Sequence, residues 1–250
     1  MTEIAISGGL GDALIGYAKL HSADCPFNIQ KDDIKIVRFA SIELLKEEIE
    51  KFYELQGLTV DTRYVDTITD VIHSVGTLDY KIVGDIHGCI EDDNVVNNWK
   101  INPFPPINVT QIVKKHEIVI SPTAGREAKI IGVKTGGSNK RILNVKQLYD
   151  FAKKTNKKVT LIGWADELYA RELSSLPVDY NLINKTSLQE AIDIVASADV
   201  NIVHDGFMSF LSGMLGKKTY VNTNNDAHRV RLYHPRWNIT FYKDLGEIIE

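Results

Sequence analysis

The residues best suited to chemistry lie in short segments that follow apolar runs. Residues 7–12 read Ser-Gly-Gly-Leu-Gly-Asp, between a β-branched run and an amphipathic segment. Glycines in such a turn let a ligand approach the backbone closely, and the start of a helix favours negative charge. The spacing is neither G-x-G-x-x-G nor a Walker A loop, so the glycines alone do not establish a nucleotide site.

Asp12 is the carboxylate of this turn. At the carboxyl end of a first strand it would project into the crevice where open α/β sheets bind ligands. There it could take a proton from an attacking hydroxyl group, which makes it a candidate catalytic base. Aspartate is also among the best helix N-caps, so a purely structural role is an alternative.

A second chemical segment, residues 83–89, reads Val-Gly-Asp-Ile-His-Gly-Cys. It resembles the G-D-x-H-G opening of metallophosphoesterases, in which Asp85 and His87 would be the first ligands of a two-metal site. The other ligand motifs of that family do not follow, so a metal-dependent phosphoesterase is the weaker alternative. Asp85 and His87 could instead line a ligand cleft at a strand end, or simply hold a turn.

Two sets of alternating strands and helices must position these residues. Predicted strands cover residues 3–7, 34–39, 80–84, 129–134, 158–163, 200–204 and 217–221, and predicted helices cover 12–21, 42–55, 145–155, 188–197 and 207–215. This alternation favours parallel sheets with helices on both faces.

A stretch rich in proline and asparagine, residues 94–108, interrupts the alternation. The sequence therefore predicts an α/β protein with two Rossmann-like domains that face each other across a cleft. The predicted domains are residues 1–115 and 129–250. Residues 116–128 are predicted to be a linker that contains a connecting strand at 118–120.

Composition narrows the class of protein. The chain has 250 residues, of which 44% are hydrophobic, and a formal net charge of −4. A net negative chain has no overall basic field to recruit nucleic acid or anionic membrane. No run approaches the roughly 20 apolar residues of a transmembrane helix, and Glu3 stands where a signal peptide carries positive charge. Cys25 and Cys89 lack metal-ligand spacing, so we expect a cytoplasmic protein with reduced thiols.

Several segments of the second half resemble the ADP-heptose:lipopolysaccharide heptosyltransferase family. They are residues 131–141, 159–163, 184–188, 198–199, 204–211 and 215–218. The N-terminal Gly11-Asp12-Ala13-Leu14 is similar to the G-D-x-L motif of the same family, at the expected place after the first strand. The resemblance therefore covers much of the C-terminal half but only the beginning of the N-terminal half.

This resemblance implies a compact, inverting GT-B glycosyltransferase without a metal or a cofactor. A nucleotide-sugar donor, the co-substrate, would bind mainly to the C-terminal domain, and Asp12 would be the catalytic base. The implied donor-binding residues are Thr135, Gly137, Lys140, Glu167, Asp205, Gly206 and Phe207. The candidates on the acceptor side are Gly9, Gly11, Asp85 and His87.

The donor residues have distinct implied roles. Lys140 matches the basic residue of a K-x-W motif and would contact donor phosphate as a point charge. Glu167 lies where the family has an acid that contacts the nucleotide. The segment Asp205-Gly206-Phe207 matches a D-[ST]-G turn whose backbone N–H groups meet the pyrophosphate at a helix start.

Four positions depart from the family pattern: Ile142 replaces its tryptophan, Phe207 its glycine, Phe210 its histidine and Lys218 its proline. A non-catalytic protein that binds nucleotide sugars is therefore another alternative. The sugar, the nucleotide and the acceptor stay open. The acceptor could be a glycan, a lipid-linked sugar, a small molecule or a modified nucleobase.

Overall fold

A computed structural model of the chain describes residues 2–7, 9–23, 25, 34–40, 46–64, 81–82, 100–110, 115–124, 141–222 and 233–248. The chain divides into two compact units, Met1–Asn108 and Val109–Glu250. Each unit contains a parallel sheet of its own. The boundary falls inside the predicted N-terminal domain, at the end of the proline- and asparagine-rich stretch.

The first unit consists of β1 (Thr2–Ser7), α1 (Leu10–Leu20), β2 (Ile34–Ala40), α2 (Lys46–Leu55), β3 (Thr59–Tyr64) and β4 (Lys81–Ile82). Its sheet has the order β3-β2-β1-β4, and the paired strands are parallel. The chain therefore winds from β1 to β3 on one side and places β4 on the other side of β1. A ligand crevice is expected at such a switch point, outside the carboxyl ends of the strands.

Hydrogen bonds and aromatic contacts fix α1 against the rest of this unit. The helix is buried from Ala13 to Leu20. The Tyr53 hydroxyl donates to the Ala13 carbonyl at 2.9 Å, and the Tyr17 hydroxyl donates to the Pro106 carbonyl at 2.7 Å. Buried polar groups that are paired in this way hold a segment in one position. These hydrogen bonds therefore fix the position of α1, whose first turn contains Asp12.

The second unit begins with β5 (His116–Ser121), β6 (Thr123–Ala124), β7 (Arg141–Ile142), α3 (Val145–Lys154), β8 (Val159–Leu161), α4 (Glu167–Leu173) and β9 (Tyr180–Asn181). It continues with α5 (Leu188–Ser197), β10 (Ala198–His204), α6 (Phe207–Met214), β11 (Lys218–Asn222), β12 (Ile239–Tyr242) and a 3₁₀ turn, Leu245–Glu247. The main sheet has the order β12-β11-β10-β5-β8-β9, and its strands are parallel.

β5 is the central strand of the second sheet, although its residues fall in the predicted linker. It pairs with β8 on one side and with β10 on the other, so that Ile120 is opposite both Leu161 and Ile202. The apolar run is too short for periodicity to distinguish a central strand from a connection. The correction matters, because the winding direction reverses between β5 and β10.

Other differences from the predicted elements are smaller. β3, α4, β9 and β12 were not predicted, whereas α5 has the predicted bounds. The predicted strand at 129–134 and the turn at 136–139 lie outside the described residues. Among the helices that the structure describes, none is long and apolar enough to cross a membrane.

His21, at the end of α1, gives the first unit a predicted pH dependence. Its ring lies edge-on to Tyr17, with centroids 4.5 Å apart, and burial lowers the pKa of His21 below 6.5. Since the unfolded chain then binds more protons, stability is full above pH 6.5 and falls as the pH drops below it. Urea midpoints at about pH 7.5 and 5.5 should differ more in the wild type than in His21→Gln. Equal differences would contradict this assignment.

Candidate active site

Asp12 holds the start of α1 and is still partly accessible. Gly9 is the N-cap, with φ −94° and ψ −169°, and Asp12 is the third helical residue. The Asp12 Oδ2 atom accepts the Gly9 N–H at 2.5 Å, while the side chain is only half-buried. Asp12 is therefore not the N-cap that the structural alternative predicts, but its carboxylate accepts the N–H of the N-cap residue. Its side chain stays partly exposed at the surface of the unit.

The position of Asp12 in the sheet also suits ligand binding. It follows the carboxyl end of β1, next to the switch point between β1 and β4. Gly9 and Gly11 are half-buried beside it. Within the part of the chain that the structure describes, a Cβ atom at Gly9 would meet only Asp12 Oδ2, at an ordinary contact distance of 3.7 Å. Asp85 and His87, which follow β4 in the chain, lie outside the described residues.

Three loops of the second unit meet at the carboxyl edge of its sheet. The Thr123 hydroxyl, after β5, donates to the Trp164 carbonyl, after β8, at 2.5 Å. A Cβ atom at Gly206, after β10, would lie 3.3 Å from the Ala124 Cβ. β8, β5 and β10 are neighbours in the sheet, and the switch point lies between β5 and β10. The topology and the contacts therefore point to the same edge, which is the candidate ligand site because open α/β sheets bind ligands at such switch points.

Gly206 starts α6 in a conformation that glycine alone adopts readily. Its φ is 153° and its ψ is −155°, and the Phe210 N–H closes the first helical bond on its carbonyl at 3.2 Å. The N–H groups in the first turn of a helix have no acceptor within the helix and can bind an anion. The backbone is thus arranged to receive a phosphate group.

Two of the three N–H groups expected to meet the pyrophosphate already have protein acceptors. The Asp205 N–H donates to the Asn222 carbonyl at 3.0 Å, and the Gly206 N–H donates to Ser209 Oγ at 2.9 Å. The N–H groups of Asp205 and Gly206 therefore serve contacts within the protein. The glycine contributes its conformation and its lack of a side chain.

The Asp205 side chain points into the protein. It is 1% exposed, and its Oδ1 atom accepts the Tyr233 hydroxyl at 2.6 Å. A buried carboxylate needs such donors to offset its lost hydration. Asp205 therefore supports the turn from inside.

Glu167 lies at the expected edge but faces solvent. It is the first residue of α4, just after β8, and its side chain is 87% exposed and paired with Arg171 at 3.3 Å. An exposed pair of this kind contributes little to stability. Replacing Arg171 by a hydroxyl group of a ligand as the partner of this carboxylate would therefore cost little free energy.

Thr135, Gly137 and Lys140 lie outside the described residues. The chain immediately after Lys140 is nevertheless located, because β7 pairs antiparallel with β6 and brings Arg141 opposite Ala124. The segment that follows Lys140 thus reaches the edge where the three loops meet.

Several residues at this edge were missed from the sequence. They are Ser121, Thr123, Ala124, Gly163 and Trp164. The useful signal was the small residues Ser-Pro-Thr-Ala-Gly, 121–125, directly after an apolar run, as in the first turn of the chain. Tyr233 follows a basic run, residues 228–231, and the sequence allows that basic-aromatic cluster either to touch phosphate or to form a solvated loop.

Two further observations bear on binding. A groove of about 580 Å³ lies between α3 and residues 244–248, and none of its lining residues belongs to the loops after β5, β8 or β10.

Within the described ranges, no three His, Cys, Asp or Glu side chains come together as metal ligands.

Two parallel α/β units, each with a switch point in its sheet, are the architecture of the GT-B glycosyltransferases, and the predicted fold class of two Rossmann-like domains is confirmed. Among solved structures with this fold, E. coli ADP-heptose LPS heptosyltransferase II gives a TM-score of 0.56 at 11% identity, covering 97% of this chain and 90% of that chain. E. coli heptosyltransferase WaaC with ADP-2-deoxy-2-fluoro heptose gives 0.55 at 11% identity, covering 98% and 95%.

The glycosyl transferase family 9 structure from Veillonella parvula gives a TM-score of 0.58 at 11% identity, covering 98% of this chain and 86% of that chain. No protein-family profile matches the chain, and no curated protein matches it in sequence. At these identities the likeness shows a shared fold. The resemblance to heptosyltransferases is confirmed at that level.

Proposed function

We propose that this protein is a glycosyltransferase that moves a sugar from a nucleotide-sugar donor to an acceptor hydroxyl, with inversion and without a metal. The observation that carries the proposal is the meeting of three loops at the switch point of the second sheet, with the glycine-started helix α6 among them. The first unit adds a partly accessible carboxylate, Asp12, at the switch point of its own sheet.

The donor diphosphate would bind at the start of α6. As the bond between the sugar and the diphosphate breaks, negative charge grows on the leaving group and needs positive groups already in place. The helix start supplies N–H groups and a partial positive charge, and Lys140 would supply a full one. These groups can carry out the stabilisation that a metal ion provides in other transferases.

The nucleoside would lie beside the diphosphate, along the carboxyl ends of β5 and β8. Trp164 and Ile142 are each about two-fifths exposed, at 40% and 41%. Both belong to segments at this edge, and apolar surface of this kind suits a base. The exposed Glu167 would accept a hydrogen bond from the ribose.

Asp12 would act as the base in a single displacement. The acceptor oxygen forms a bond to the anomeric carbon while the bond from that carbon to the diphosphate oxygen breaks. The acceptor proton passes to the Asp12 carboxylate, and the nucleoside diphosphate leaves with the electron pair. Attack from the side opposite the leaving group inverts the anomeric centre.

A thermal-shift panel tests the class. ADP-, UDP-, GDP- and CDP-sugars, with the free diphosphates, are added at matched concentration without divalent metal. ADP-sugars head the panel because one similar structure holds an ADP-sugar analogue. A ligand at 100 times its Kd stabilises by about 2.7 kcal/mol, a shift of several degrees in Tm for a chain of this size.

We expect one nucleotide class to raise the Tm selectively and to release its diphosphate when an acceptor hydroxyl is supplied. Stabilisation by no nucleotide would contradict donor binding. Binding without transfer to any acceptor would favour a non-catalytic nucleotide-sugar-binding protein. Hydrolysis of a phosphate ester that a chelator abolishes would favour the metallophosphoesterase.

A further inference from the structure

We propose that Tyr233 is a positioning residue for the donor diphosphate, because its hydroxyl ties Asp205 to Ser209 and holds the turn at Gly206. This inference rests on the proposed function. Tyr233 comes from the segment between β11 and β12, so it is distant in sequence from the turn it contacts. It was not among the residues implied by the motifs.

The contacts form a continuous path around the turn. The Gly206 N–H donates to Ser209 Oγ at 2.9 Å, and Ser209 Oγ lies 2.7 Å from the Tyr233 hydroxyl. The Tyr233 hydroxyl donates to Asp205 Oδ1 at 2.6 Å. The path therefore begins and ends on adjacent residues, Asp205 and Gly206, and passes through one tyrosine oxygen.

The Ser209 hydroxyl also donates to the Gly206 carbonyl at 2.7 Å, so the serine contacts both the N–H and the carbonyl of the glycine. In the contact between the Ser209 and Tyr233 hydroxyls, either atom can be the donor. The path ends on the Asp205 carboxylate, and hydrogen bonds to a charged acceptor are the strongest.

Aromatic packing holds Tyr233 in place independently of its hydroxyl. Its ring centroid is 5.0 Å from that of Phe210 and 5.2 Å from that of Phe241. The following Trp237 is 5% exposed and lies so close to Gly213 that a Cβ there would be 2.7 Å from the indole. Removing only the hydroxyl should therefore leave the ring docked on α6.

The network matters for binding because the turn it holds is built on a glycine. Gly206 adopts a conformation that is open to glycine, but glycine also reaches many other conformations, so surrounding contacts are needed to hold this one. Without the tyrosine hydroxyl the turn is less constrained, so part of the binding energy of a diphosphate goes into ordering it. Donor affinity should fall, whereas the chemical step at Asp12 should not change.

Tyr233→Phe tests this, with Tyr149→Phe as the matched control. The control removes the same hydroxyl from an exposed tyrosine on α3. Calorimetry with ADP, UDP and GDP gives Kd, and steady-state kinetics with the matching sugar nucleotide separate KM from kcat. For the nucleotide that the wild type binds, we expect Kd and KM to rise about tenfold in Tyr233→Phe, with kcat little changed. Tyr149→Phe should match the wild type.

An unchanged Kd in folded Tyr233→Phe, even with a lower Tm, would overturn the positioning role and leave the proposed function intact. Failure of the wild type to bind any of these three diphosphates or CDP would instead overturn the proposed function. Should Tyr233→Phe not fold, Asp205→Asn replaces it, since it removes the charge that ends the path. A raised Kd in that variant supports the proposal, and an unchanged Kd overturns it.

Discussion

Replacement of Asp12 by asparagine should lower the rate of sugar transfer by a factor of about 10² to 10⁴ while donor affinity stays unchanged. Loss of a general base typically has an effect of this size. Asparagine keeps an oxygen that can accept the Gly9 N–H, so the start of α1 should be preserved. Initial rates and calorimetric titration with the nucleoside diphosphate measure the two quantities separately.

Asp12→Ala separates the base from the cap. It removes both the proton acceptor and the capping oxygen, and should also cost about 1 kcal/mol of stability in the first unit. If both variants lose the same factor in rate and only Asp12→Ala loses stability, the role of Asp12 as catalytic base is supported. Full activity in Asp12→Asn would show that the carboxylate is structural.

Replacement of Gly206 by alanine should reduce nucleotide affinity more than tenfold. At φ 153° and ψ −155° an alanine is strained by roughly 1–3 kcal/mol. Its methyl group would lie 3.3 Å from the Ala124 Cβ, so the turn must move away from the loop after β5. The start of α6 moves with it, and calorimetry with the nucleoside diphosphate reports the loss.

Gly57→Ala is the matched control for this variant. Gly57 has a φ of 77°, and a Cβ there would meet no atom of the described residues within 4 Å. Alanine at Gly57 is therefore also strained by a positive φ, but the strain falls in the first unit and not in the turn at Gly206. It should lower stability and leave nucleotide affinity at the wild-type value. Equal loss of affinity in both variants would mean that general destabilisation, and not the turn, is responsible.

The sequence was most informative where local signals agree. The helix predicted at 188–197, with a cap at residues 186–187, has the observed bounds of α5, and Ser187 is its N-cap. The glycine-rich turn before Asp12 was placed correctly between a strand and a helix for the same reason. Residue types and spacing are sufficient where the structure depends on neighbours in the chain.

The sequence was least informative where the structure depends on distant contacts. Ile118–Ile120 resembles a connecting strand in isolation, and only pairing with β8 and β10 makes it the centre of the sheet. Asp205 has the residue type of a ligand-binding carboxylate, but it is buried and accepts a hydrogen bond from Tyr233, 28 positions away. Side-chain environment is a property of the fold and cannot be deduced from spacing.

Hydrogen–deuterium exchange of the full chain, with and without the nucleoside diphosphate that it binds, tests the central claim most directly. The account predicts slower exchange on binding at residues 121–124, 163–167 and 206–210, where the loops after β5, β8 and β10 meet. Protection confined to the groove between α3 and residues 244–248, with no change at those three loops, would contradict it.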